Sequence, residues 1–138
     1  MKSEKFNSQN APEPVGLYPH ARQVGNLLFL SGVGPRERGT KEIPGVTLDI
    51  NGDILSYDIE AQCHSVFVNV KAILEESGSS WDKLVDVTVF LTNMKNDFTT
   101  YNKIYAEYFK DNQPCRTTVE INSLPTPIAI ELKCIAIL

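Results

Sequence analysis

Two charged side chains near the C-terminal end are distinguished by their neighbours. Arg116 stands early in the segment Pro114-Cys115-Arg116-Thr117-Thr118-Val119-Glu120-Ile121. Glu131 lies between Ile130 and Leu132 in the apolar run 128–138, past a Leu124-Pro125-Thr126-Pro127 break. A guanidinium at the start of a strand can grip a carboxylate through two parallel hydrogen bonds. A partly buried carboxylate can handle a water proton. Together they point to a pocket for a small organic acid. Each has a plainer reading: most arginines are solvated or in surface ion pairs, and Glu131 can be matched by a structural ion pair with Arg116 or Lys133.

Other polar groups fall where chains commonly bind ligands. Gly16-Leu17-Tyr18-Pro19-His20-Ala21 offers a phenol and an imidazole from a loop. Ser31 and Gly32 end an apolar strand, which permits close backbone approach or simply a turn. Arg36 and Arg38 lie in the loop that follows. There is no glycine-rich phosphate motif, no Cys-x-x-Cys and no His-Glu-x-x-His. The two histidines, His20 and His64, cannot build a three-histidine metal site. Cys115 abuts Arg116, but no base accompanies it in sequence. The residues therefore call for neither a metal nor a cofactor.

The 138 residues fit one domain with a self-sufficient core. The net charge of −4 lacks the basic excess of a nucleic-acid binder. No run approaches the ~20 apolar residues of a membrane span, and the polar N-terminus has no signal core. An odd number of cysteines (Cys63, Cys115 and Cys134) without ligand spacing fits reduced thiols. The expectation is a soluble, cytoplasmic protein with no nucleic-acid or membrane partner.

Positioning these groups requires a scaffold that the periodicities supply. Residues 1–15 read as a flexible arm and 16–138 as a single domain. Strands at Ala21-Arg22-Gln23-Val24 and from Leu27 to Gly32 flank Gly25-Asn26, a two-residue hairpin signal. Residues 33–57 read as a long loop with one short strand near 46–50, closed by Asn51-Gly52. From Asp58 apolar residues recur at helical spacing through Leu74, and Ser77-Gly78 ends the run. Residues 84–91 alternate as a strand, with Val85, Val87, Val89 and Leu91 on one face. A second helix spans about 97–110, and strands at about 116–122 and 128–137 close the chain. This order predicts an α+β fold, a single mixed sheet covered on one face by two helices. The last strand is apolar at nearly every position, so a partner is expected to cover its second face.

From about Gly16 to Ile137 the order of segments resembles the RidA (YjgF) family of enamine/imine deaminases. The resemblance is carried by residues 16–21, by Leu28-Phe29-Leu30-Ser31-Gly32 and by Asp58-Ile59-Glu60-Ala61-Gln62. It continues through 101–109, 114–120 and 130–136. It implies a chorismate-mutase-like subunit in a homotrimer with clefts between subunits, and a substrate that is a small carboxylate-bearing enamine or imine. By motif position Arg116 would hold the substrate carboxylate and Glu131 would position water. Tyr18, Ser31 and Gly32 would line the cleft. The Tyr18-Pro19-His20-Ala21-Arg22 string, Ile130-Glu131-Leu132-Lys133 and the arginine-bearing loop are more similar to the 2-aminomuconate deaminase branch. That branch has two adjacent arginines where this chain has Arg36-Glu37-Arg38. Arg36, Arg38 or His20 would meet a second carboxylate if that loop faces the cleft. The rival expectations are a non-catalytic protein that binds or senses a small acid, and an endoribonuclease.

Overall fold

The computed structural model covers residues 1–138. Eight strands, two helices and a short 3-10 turn (Trp81–Lys83) follow one another along the chain. The strands are β1 (Ser3–Phe6), β2 (Ala21–Val24), β3 (Leu27–Leu30), β4 (Val46–Leu48), β5 (Ile54–Tyr57), β6 (Leu84–Leu91), β7 (Cys115–Glu120) and β8 (Ile130–Ile137); the helices are α1 (Ile59–Glu76) and α2 (Met94–Tyr108). Six strands form a mixed sheet in the order β1-β2-β3-β8-β6-β7, and β4 and β5 pair apart from it. Only β6 and β7 run parallel, because α2 carries the chain back between them.

Both helices begin where the sequence offers a cap. The Asp58 carboxylate accepts from the backbone N–H groups of Glu60 and Ala61, which supplies partners that the first turn otherwise lacks. Asn93 does the same for Asn96, so α2 starts three residues before the expected position. Helix residues Cys63, Val66, Phe67, Val70, Tyr101 and Ile104 are buried against one sheet face, where Leu28, Leu30, Val87, Val89, Leu132 and Cys134 meet them. An aromatic cluster ties the layers together, with the Phe67 ring centroid 4.6 Å from Tyr108 and 6.0 Å from Phe109.

Three local differences from the sequence reading have physical causes. Residues 1–15, expected as an arm, contain β1, which pairs antiparallel with β2 from Ser3 opposite Val24 to Phe6 opposite Ala21. Ser3, Glu4 and Lys5 are polar and exposed, so with Phe6 alone the segment carries almost no apolar signal, and the pairing comes from the backbone. Val85 does not share the face of Val87, because a bulge between Leu84 and Asp86 turns it outward, leaving it 39% exposed. The loop 33–57 contains a complete hairpin, since β5 pairs with β4 across the Asn51-Gly52 turn.

β8 alternates in burial. Ile130, Leu132, Cys134 and Ala136 are buried beneath the helices, while Glu131, Lys133, Ile135 and Ile137 point to the open face, half-buried to exposed. Phe29, opposite Ile135, and Leu27, opposite Ile137, extend that open apolar surface.

Candidate active site

Glu131 projects from β8 on the open face, opposite Phe90 of β6. Its carboxylate lies against Gly32, where a Cβ would come within 2.9 Å of Oε2. Any side chain at residue 32 would push the carboxylate away, which explains a glycine there. Two backbone bonds between Val33 and Leu132, at 2.8 and 2.9 Å, hold the strands at this spacing. Neither candidate ion-pair partner reaches Glu131. Arg116 donates to Asn102 Oδ1 at 2.8 Å, and Lys133 donates to the Leu30 carbonyl. Burial alone therefore pushes the Glu131 pKa above the usual carboxylate range.

A half-open cavity of about 80 Å³ covers this carboxylate, and Tyr18, His20, Ser31, Gly32 and Arg36 share its wall with Glu131. Ser31 Oγ donates to the Pro19 carbonyl at 2.7 Å and so fixes the turn that presents Tyr18. The Tyr18 hydroxyl accepts from the Val15 N–H at 3.2 Å, which leaves its own proton free for a ligand.

The three loop cations expected from the sequence separate into two roles. His20 lines the cavity but offers no free nitrogen: Nδ1 accepts from the Ser8 N–H at 3.0 Å and Nε2 donates to the Pro12 carbonyl at 2.7 Å. Arg38 is turned from the cavity, with Nη1 donating to the Ser8 and Ala11 carbonyls at 2.9 and 2.8 Å. Both hold the N-terminal segment in place instead of facing a ligand. Arg36 alone keeps donors in the cavity wall, with Nη2 engaged by the Glu13 carbonyl.

Two residues that the sequence reading passed over set the Arg36 loop. Ser65 Oγ bonds the Pro35 carbonyl at 2.7 Å, and Asn69 Nδ2 bonds the Gly34 and Arg36 carbonyls, each at 2.9 Å. Their spacing, four residues apart beside the apolar stripe of α1, is the signal that could have found them.

Arg116 occupies the other face. It pairs with Val87, whereas Glu131 pairs with Phe90, and residues 87 and 90 of one strand point to opposite sides. Its guanidinium carbon stands 4.7 Å from the Tyr105 ring centroid and 5.4 Å from that of Tyr101, both on α2. Aromatic faces hold the cation at the exposed sheet edge. Within one chain Arg116 and Glu131 are therefore not brought together. The buried thiols offer no alternative nucleophile, because desolvation pushes Cys63 and Cys134 up to about 12.

A helix-backed mixed sheet with an unpaired carboxylate at a cavity on its open face defines the class: an α+β domain with a small recess on its open sheet face. Within it, the family described as Endoribonuclease L-PSP matches residues 8–138, and the chain belongs to this RidA (YjgF) family. A RutC family protein of Pyrococcus abyssi is 39% identical over 99% of this chain and 98% of its own. The Reactive Intermediate Deaminase A, chloroplastic, of Arabidopsis thaliana is 36% identical over 100% of this chain and 67% of its own. The crystal structure of E. coli TdcF with bound serine superimposes with a TM-score of 0.83 at 30% identity, covering 98% of each chain. No helix is long and apolar enough to cross a membrane.

Proposed function

We propose that the protein is a cofactor-free hydrolytic deaminase that converts 2-amino-acid enamines and imines to 2-oxo acids and ammonia. The observation that carries this reading is Glu131, a half-buried carboxylate without an ion-pair partner, with a raised pKa, facing a cavity. The deaminase named among the relatives supports the reaction class. After the enamine tautomerises to its imine, Glu131 takes a proton from water as the oxygen bonds to the imine carbon. It returns that proton to nitrogen to give a carbinolamine; the remaining hydroxyl proton then passes by way of Glu131 to nitrogen as C=O forms and the C–N bond breaks, leaving the 2-oxo acid and ammonia. Such proton transfer contributes about 10²–10⁴-fold.

Arg116 would hold the substrate carboxylate from a second copy of the chain, because its own Glu131 lies on the opposite sheet face. The cavity supports this, since about 80 Å³ is a half-pocket beside the roughly 300 Å³ of ordinary ligand sites. A homotrimer whose apolar open faces meet would supply the missing wall. Arg36 would take a second carboxylate, favouring a 2-aminomuconate type of substrate over 2-aminoacrylate.

Ammonia release from the two enamines, generated in situ, tests the reading. Arg116→Ala is expected to abolish both activities. Arg36→Met should raise KM for the dicarboxylate roughly 10- to 100-fold, the value of a charge-assisted contact, and spare the monocarboxylate. Unchanged ammonia release from the Arg116 variant sinks the proposal. A binding role without turnover is the second reading, favoured by the relative that holds serine, which has no C=N bond. RNA is the poorest fit as substrate: the net charge is −4 and both ring nitrogens of His20 are engaged.

A further inference from the structure

The cavity wall has an unusual construction. Residues 8–15 lie outside every strand, yet five of them, residues 11–15, line the cavity. This strap makes no backbone-to-backbone hydrogen bond outside itself and is held by side chains. His20 takes the Ser8 N–H and the Pro12 carbonyl. Arg38 takes the Ser8 and Ala11 carbonyls, and Arg36 takes that of Glu13. Glu76, at the end of α1, accepts from the Gln9 N–H at 2.7 Å and from the Asn10 side chain. Ala11 is fully buried and Ser8 is 3% exposed, so the strap is packed as well as tied.

These ties respond differently to acid. Arginines stay charged at any working pH. Burial raises the Glu76 pKa, but hydrogen bonds from Ser8, Gln9 and Asn10 outweigh it and hold that carboxyl below its usual range. His20 is the tie whose hydrogen-bond pattern reverses. As an acceptor at Nδ1 and a donor at Nε2 it must be the neutral Nε2–H tautomer. On taking a proton it presents N–H to the Ser8 N–H, and one bond becomes a donor facing a donor. Glu76 is the carboxylate within charge range of the ring. Arg38 is the cation beside the same segment, bonded to Ser8 and to Ala11. Arg36 and Glu13 flank the strap beyond Pro12.

We infer that His20 is a positioning residue that latches the strap over the cavity, and that its protonation loosens this wall and weakens ligand binding while the sheet stays folded. The inference rests on the cavity being the ligand site proposed above. It adds a regulatory input to that site, acting through residues 8–15 and not through contact with substrate.

Amide hydrogen exchange followed by NMR between pH 8 and pH 5 tests it, with pyruvate as the ligand probe. Corrected for intrinsic exchange, Ser8 protection should fall roughly five- to tenfold on acidification, the worth of one hydrogen bond, while Leu132 keeps its protection. Pyruvate affinity should fall in step. His20→Gln, whose amide can accept and donate without titrating, should flatten the Ser8 protection profile and remove the loss of pyruvate affinity that follows it, leaving only the dependence due to Glu131 in the cavity wall. Should that variant not fold, the ring ¹⁵N shifts of the unaltered protein decide: an Nδ1–H tautomer at pH 8 overturns the latch. Constant Ser8 protection, or constant pyruvate affinity while protection falls, overturns it too. Exchange does not require turnover, so an active Arg116→Ala variant would remove the deaminase reading and leave the latch standing.

Discussion

The proposed reaction rests its proton transfer on Glu131, a side chain whose charge is poorly accommodated. Its carboxylate is desolvated, has no ion-pair partner and is held against Gly32. Because the folded-state pKa lies above the unfolded one, the folded chain holds the proton more tightly. Stability therefore rises as pH falls through the raised value toward the unfolded one. Glu131→Gln is expected to cut ammonia release by about 10²–10⁴-fold without lowering Tm, because it removes a charge that burial disfavours. Steady-state kinetics with a thermal melt checks both halves. Retained turnover would move the proton transfer elsewhere; retained pyruvate binding with lost turnover separates an enzyme from a binder. The acid limb of the pH–rate profile should lie above the ordinary carboxylate range, since the ionised form takes the proton from water.

Secondary elements reach the site through polar side chains that hold other elements. The β4–β5 hairpin is docked by Tyr57, whose hydroxyl donates to Asp97 Oδ2 of α2 at 2.6 Å. Asp97 is 5% exposed, burial raises its pKa, and the Tyr57 bond partly offsets that rise. Tyr57→Phe leaves a buried carboxylate short of a donor and should cost about 1–3 kcal/mol in urea unfolding at pH 7. The cost should shrink as pH falls into and through the carboxylate range, because Asp97 becomes protonated in the variant first. An equal loss at both pH values would contradict this account. The helices, the β2–β3 hairpin and β8 were legible because apolar patterning coincides with the Asp58 cap and with the Gly25-Asn26 turn, whereas the Asn93 cap went unread and α2 starts earlier than expected. β1 and β5 were not, since residues 3–6 and 54–57 are mostly exposed and their pairing is backbone bonding with little hydrophobic signature.

At the scale of the whole molecule, the proposed roles of Arg116 and Glu131, which lie on opposite sheet faces, require activity to belong to an assembly. Mixing unfolded Arg116→Ala and Glu131→Gln chains and refolding them together tests this directly. If each site draws Arg116 from one copy and Glu131 from another, random association restores about a quarter of the sites. Recovery of ammonia release near that level is expected. A mixture as inactive as either variant alone would place both residues within a single chain's site. A charge on the open face, Ile135→Asp, should shift the molecule to a monomer by sedimentation and abolish turnover, with helical circular dichroism retained.

The sequence by itself determined the α+β architecture, the family and the candidates Arg116 and Glu131, because periodicity and a charge among apolar neighbours are local properties. Tertiary structure decided which candidates share a space. Strand register sends Arg116 and Glu131 to opposite faces. Backbone bonds from residues 8–12 remove His20 and Arg38 from ligand duty and leave Arg36 in the wall. Those partners lie 8 to 30 residues apart along the chain, and only folding sets which donor meets which acceptor.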